Sequence, residues 1–255
     1  MLMSPGNASA ARVVGQGVEV AARTVIEEVA VVIPANNEEA LLNSCLAAME
    51  AAVQQIALQE STSRPFVRVI LVLDSCTDGS AAIAARWPRV DVLTVHFRNV
   101  GRARAHGVEY ALRQSSAAGF DRLWIANTDA DSEVPPHWIA RQLTLAQSGI
   151  RLMIGSVRPD PRDLTPQQRQ LWAQRHPTST AARRIYGANL GVRADGYLRA
   201  GGFPEITEHE DVVLVDRLQR AGVVGAVSNS CWVQTSARTV GRTPGGFAAH
   251  LRENY

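Results

Sequence analysis

The chain has 255 residues, 46% hydrophobic and 20% charged, which fits one large α/β domain or two small ones with ample material for a core. Its 26 basic residues, all arginine, nearly balance 24 acidic ones, and a net charge of +2 makes no case for nucleic-acid binding or for adhesion to an anionic membrane. Three well-separated cysteines, Cys45, Cys76 and Cys231, have no zinc or redox spacing and read as reduced, mostly structural thiols of a cytoplasmic protein.

In chain order, residues 1–25 are rich in small residues and read as a flexible arm. No signal-peptide pattern is expected there. "VAVVIP" (Val29–Pro34) is a short β-branched run, a buried strand, and "EEALLNSCLAAMEAAVQQIALQ" carries apolar residues at helical spacing. "STSRP" is a turn, "VRVILVLD" (Val67–Asp74) a second strand, and "DGSAAIAARW" a helix that Asp78 or Ser80 can cap. "VDVLTVHF" is a third strand, "GRARAHGVEYALRQS" a helix, and "DRLWIAN" a fourth strand. This β-α-β-α rhythm predicts a mostly parallel sheet with helices on both faces. Beyond Pro135 the rhythm changes. "PPHWIARQLTLAQ" reads as a helix, "RLMIGSVR" as a strand, and the arginine-rich stretch Pro159–Arg184 as a helix with flexible flanks. "IYGANLGVRADGYLRAGGFP" is glycine-rich, "EHEDVVLVDRLQRAG" is a helix with an acidic start, and the tail from Cys231 ends in loop signals. The expected organisation is a single domain over 26–255, with a nucleotide-binding half (26–134) and an acceptor-binding half (135–255) on one sheet. No apolar run approaches the roughly 20 residues of a membrane span.

Chemistry is expected at the carboxyl ends of the strands, where open α/β sheets bind ligands. Three strands end in polar clusters: "PANNEE" (Pro34–Glu39), "DSCTDGS" (Asp74–Ser80) and "NTDADS" (Asn127–Ser132). Buried carboxylates and amides in one crevice are costly without a ligand. Asp78 and Ser80 read as caps, whereas Asp74, the last residue of its strand, suits a ligand contact such as the N–H of a uracil or guanine. Asp129 and Asp131 stand one residue apart, so on a strand they would share a face and repel. They form either a solvated turn or a cation site. No GxGxxG follows the first strand and no P-loop sequence exists, so a bound diphosphate would have to be neutralised in another way. Mg²⁺ or Mn²⁺ on Asp129 and Asp131 would do so. His209 and His176 read as solvated or hydrogen-bonded rings rather than ligands.

The blocks "VVIPANNEEALL", "VLDSCTDGS", "RNVGRARAHGVEYAL", "WIANTDADSEVPPHWI", "GANLGVRADGYLRAGGFP" and "HEDVVLVDRLQRAG" occur in the order seen in family 2 glycosyltransferases, and the resemblance spans roughly residues 28–240. It implies the GT-A fold, a three-layer α/β/α arrangement around a mostly parallel mixed sheet. It also implies metal-dependent transfer of a sugar from a UDP- or GDP-sugar to an acceptor hydroxyl, usually with inversion. By the same resemblance, Pro34, Asn36 and Glu38 line the nucleotide pocket and Asp74 reads the base. Gly101 and Arg102 lie near ribose and diphosphate, and Asp129 and Asp131 form the metal-binding DxD pair. Asp211, of the pair Glu210-Asp211, is the general base. Arg238, in "QTSAR", sits where some members contact the diphosphate, and Arg242 or Arg102 can add donors. The QxxRW motif of processive synthases is absent, which argues against polymer synthesis. The arginines of Pro159–Arg184 suggest an anionic small-molecule acceptor. Two alternatives stand beside this reading: a retaining transferase of the glucosyl-phosphoglycerate synthase type, and a catalytically silent nucleotide-sugar-binding protein.

Overall fold

A computed structural model describes residues 12–14, 24–58, 64–176, 184–239 and 246–254. Most of the expected N-terminal arm, most of the "STSRP" turn, residues 177–183 of the arginine-rich stretch and Arg242 lie outside the described residues.

The strands are β1 (Arg12–Val14), β2 (Glu28–Ala35), β3 (Phe66–Asp74), β4 (Val90–Val95), β5 (Leu123–Asn127), β6 (Ser132–Glu133), β7 (Leu152–Pro159), β8 (Leu190–Arg193) and β9 (Gly225–Thr235). The helices are α1 (Leu42–Ala57), α2 (Ser80–Ala84), α3 (Val100–Gln114), α4 (Trp138–Gln147), α5 (Pro166–Arg175), α6 (Ala194–Arg199), α7 (Glu210–Arg220) and α8 (Phe247–Asn254). One sheet runs in the order β1-β9-β7-β8-β5-β2-β3-β4, with β6 pairing onto β9. Pairings β2/β3, β2/β5, β3/β4 and β7/β9 are parallel; β8 runs antiparallel between β5 and β7. Within the expected arm, Arg12–Val14 pairs antiparallel with Gly225–Val227 at the sheet edge.

The sheet is covered on both faces, and the sequence of β2 shows why. All eight of its residues are buried. Val29, Val31, Ile33 and Ala35 pack with α1, α2 and α4, while Ala30 and Val32 pack with α3, α6 and α7. A strand apolar on both sides needs a helix layer on each. Burial of each such valine or isoleucine contributes about 1.5–3 kcal/mol.

Two stretches of the second half carry elements to which the sequence reading assigns no strand or helix. The glycine-rich stretch contains β8 and α6, and β8 is a central strand. In the tail, Cys231–Thr235 completes the 11-residue β9, and α8 covers Phe247–Asn254. Packing explains the glycine in β8, Gly191. The hydrogen bond from Trp124 Nε1 to Gln142 Oε1, 2.8 Å, lies directly over it. A Cβ there would sit 2.2 Å from Gln142 Oε1 and 2.8 Å from the indole. Gly191→Ala is therefore expected to cost about 1–3 kcal/mol by overpacking, measurable by urea unfolding; an unchanged midpoint would contradict this packing.

Candidate active site

The chain leaves β2 through α1 to β3 on one side and returns through α3 to β5 on the other. The strand order therefore reverses beside β2, and such a switch point opens a crevice at the strands' carboxyl ends. A cavity of about 910 Å³ lies there, lined from β2 (Pro34, Asn36, Glu38), β3 (Asp74), the turn after β5 (Asp129, Asp131) and the start of α7 (Glu210, Asp211). Its rim is strained. Asn37, Ser75, Arg98 and His209, the non-glycine residues with left-handed backbone among those described, all line it. Such outliers cluster where loops are held for function.

The acids are arranged around two guanidiniums. Arg104 of α3 is only 2% exposed; it pairs with Asp129 on one side and with Glu210 Oε1, 3.3 Å, on the other. Arg238 makes a two-pronged bond to Glu38, 3.0 and 2.9 Å, and its Nη2 also lies 2.9 Å from Asp131 Oδ2. Two cations thus serve four carboxylates. Asp131 Oδ1 accepts further bonds from Thr235 Oγ1, 3.2 Å, and Ser132 Oγ, 3.3 Å. Burial, and then the neighbouring charge of Asp129, push the Asp131 carboxyl up to about 6 against the pull of Arg238. Asp129 and Asp131 lie in the turn between β5 and β6 rather than on a strand, yet both reach the cavity.

An all-oxygen pair whose repulsion the two shared arginines only partly offset fits a hard divalent cation, which commonly takes one or two carboxylates plus substrate phosphate. Among the described residues no third acid, histidine or cysteine completes a cluster. Asp129 and Asp131 are the residues that would hold an ion, and the rest of its shell would come from phosphate and water.

Asp211 is held at both oxygens. Gly187 N–H donates to Oδ2 at 2.6 Å, and Val212 N–H to Oδ1 at 2.7 Å. Burial raises its proton affinity, while Arg104 and these two N–H groups lower it; the net direction is upward. Burial likewise raises Glu210, opposed by Arg104. Gly187 lies against Arg104 so closely that a Cβ would stand 2.5 Å from Nη2. One glycine thus touches both the buried arginine and the proposed base.

The other expected residues divide. Asp74 lines the cavity, but its carboxylate is already an acceptor for the N–H groups of Phe97, Arg98 and Asn99, at 2.6, 2.8 and 2.9 Å. Asn36 Nδ2 donates to the Asp74 carbonyl, 2.6 Å, and so ties β2 to β3. Asp78 accepts from Ser80 N and Glu39 N, the local tethering expected of it. Gly101 and Arg102 do not line this cavity. Arg102 lies over the Phe97 ring, 4.4 Å from its centroid, and near Glu205 in a separate groove. At 100° per residue, position 104 lies on the opposite face of α3 from 102, and Arg104 is the arginine that enters the site. Its signal was present in the sequence: it interrupts the small-residue stripe of Ala103, Gly107, Val108 and Ala111, and an arginine in a buried stripe requires an acidic partner. His176 stacks on Trp172 at 3.9 Å, away from the acids, and His209 begins α7.

A mixed, mostly parallel sheet with this acid-lined crevice at its switch point is the GT-A glycosyltransferase fold. Residues 30–197 match Glycosyl transferase family 2, and the chain belongs to that family. Among solved structures it is similar to TarS from S. aureus (residues 1–349), with a TM-score of 0.58 at 13% identity over 83% of this chain and 61% of that one. It is also similar to the mannosyltransferase PcManGT from Pyrobaculum calidifontis in complex with GDP-Man and Mn²⁺, with a TM-score of 0.58 at 20% identity over 86% and 59%. A mycobacterial protein matches with a TM-score of 0.52 at 16% identity over 82% and 65%. The chain spans about three fifths of the length of the first two and 65% of the third. No curated protein sequence matches it. Among the described residues no helix is long and apolar enough to cross a membrane.

Proposed function

We propose that the chain transfers a sugar from a UDP- or GDP-sugar to an acceptor hydroxyl, with inversion at the anomeric carbon and with Mg²⁺ or Mn²⁺ as cofactor. The observation that carries this reading is that Asp211 and the pair Asp129–Asp131 line one cavity, where buried Arg104 pairs with Asp129 and with Glu210, the residue before Asp211. The GDP-Man and Mn²⁺ bound by the mannosyltransferase of the same fold support it. A metal on Asp129 and Asp131 supplies charge neutralisation for the departing diphosphate. Asp211 takes the acceptor's proton as the acceptor oxygen bonds to the anomeric carbon, the bond from that carbon to the phosphate oxygen breaks, and the nucleoside diphosphate leaves. The two N–H bonds on Asp211 fix its orientation. Asp74 Oδ2 accepts from Asn99 N–H and retains capacity for an N–H of the base.

Arg238 is 34% exposed and can turn from Glu38 and Asp131 toward phosphate. Arg238→Gln is expected to raise the donor KM about tenfold, the loss of one charged hydrogen bond of roughly 1.5 kcal/mol; an unchanged KM would remove Arg238 from donor binding. A thermal-shift screen of UDP- and GDP-sugars with Mn²⁺ tests the function, because a ligand of the native state raises Tm. Proton NMR of the product's anomeric centre tests inversion.

A further inference from the structure

The cavity has a second end that carries a cation, Arg184. Its wall is built from residues 184–186 and α8, with α5 packed against α8 through Trp172. Phe247 packs edge-on against Tyr186, 5.7 Å between centroids, and against Trp172, 6.0 Å, joining the three segments. Arg184, Tyr186, Phe247 and His250 line the cavity there. Arg184 is exposed and makes no hydrogen bond or ion pair with another described residue. The carboxylates paired with Arg104 and Arg238 belong to the other end. Desolvation, and then the charge of Arg184, lower the proton affinity of His250, with Glu253 opposing, so Arg184 is the cation of this end and His250 a neutral ring beside it.

The chain itself sets the distance from this cluster to the reacting centre. Gly187, whose N–H holds Asp211, is three residues beyond Arg184. Three extended residues span at most about 11 Å. An arginine can fork onto a carboxylate or phosphate, and Arg184 faces the cavity with no donor committed to another described residue.

We propose that the acceptor is a small hydroxylated anion, whose carboxylate or phosphate is bound by Arg184 and His250 while its hydroxyl lies at Asp211. This rests on the transfer reading above and names the substrate class of its second site. The aromatic wall of Tyr186 and Phe247 covers the carbon skeleton between the two ends.

The test is calorimetric titration of glycerol 3-phosphate, glycerate and neutral glycerol into protein saturated with UDP or GDP and Mn²⁺, so that the donor end is already filled. The expected result is saturable binding of one or both anions, at least about tenfold tighter than glycerol. Arg184→Gln should weaken it about tenfold or more, and Arg184→Lys should restore part of it, the scale of one charge-assisted contact. An unchanged Tm in Arg184→Gln separates lost recognition from lost fold. Preference for the phosphate or the carboxylate distinguishes the two kinds of anion. If neither anion binds, if glycerol binds as well, or if Arg184→Gln leaves affinity unchanged, the acceptor proposal is overturned. If no nucleotide binds in the first loading step, the transfer reading itself fails.

Discussion

Arg104→Met should lower the free energy of unfolding by about 3–5 kcal/mol, the usual cost of stripping one partner from a buried ion pair. The side chain is fully enclosed, and Asp129 and Glu210 both depend on it. Removing it leaves two carboxylates facing each other in a site that already raises Glu210 by burial. Methionine keeps the aliphatic stem but ends short of the guanidinium, so the loss combines the missing charge with a small void. Adding Glu210→Gln in the same background should recover part of it, since the two residues share one network. Urea unfolding of the single and double variants gives the answer; a loss below about 1 kcal/mol would mean that water replaces the guanidinium and that the link between the acid pair and α7 is not structural.

Asp211→Asn should reduce kcat by about 10²–10⁴, the span typical of a lost general base, while nucleotide affinity changes only slightly. The amide oxygen can still accept from Gly187, so the local fold survives. The wild-type pH profile adds a second readout. Burial places this carboxyl above the ordinary Asp range. The base must be ionised to act, so activity should be lost as pH falls through the raised folded value, at a higher pH than an exposed aspartate would give, and should recover as pH rises. Full turnover in Asp211→Asn, or an acid limb near pH 4, would place the base elsewhere.

The strands and helices of the first half were legible because each signals itself locally. β2 and β3 are continuous apolar runs, since parallel strands are buried on both faces, and α1 and α3 carry helical periodicity. β8 and β9 were not. β8 is four residues long and contains Gly191, and β9 is interrupted by Ser228, Asn229 and Ser230. Their strand character comes from pairing with β5 and β7, distant in sequence. The site shows the same division. Asp129, Asp131 and Asp211 were visible because carboxylates at strand and helix ends need a reason. Their partners were harder to see. Arg104 required knowing which face of α3 is buried, and Arg238 meets Glu38 only across 200 residues of chain. The bonds from the backbone N–H groups of residues 97–99 to Asp74 had no sequence signal, because they depend on how the segment after β4 folds over the end of β3.

The most direct measurement is calorimetric titration of UDP and GDP into the wild-type protein and Asp131→Asn, each with Mn²⁺ and with EDTA. One nucleotide should bind the wild type at one site per chain in Mn²⁺, and its affinity should fall at least about tenfold in EDTA and in the variant, corresponding to 1.4 kcal/mol or more. Equal affinity under all four conditions, or no binding of either nucleotide, would contradict a donor site built on Asp129 and Asp131.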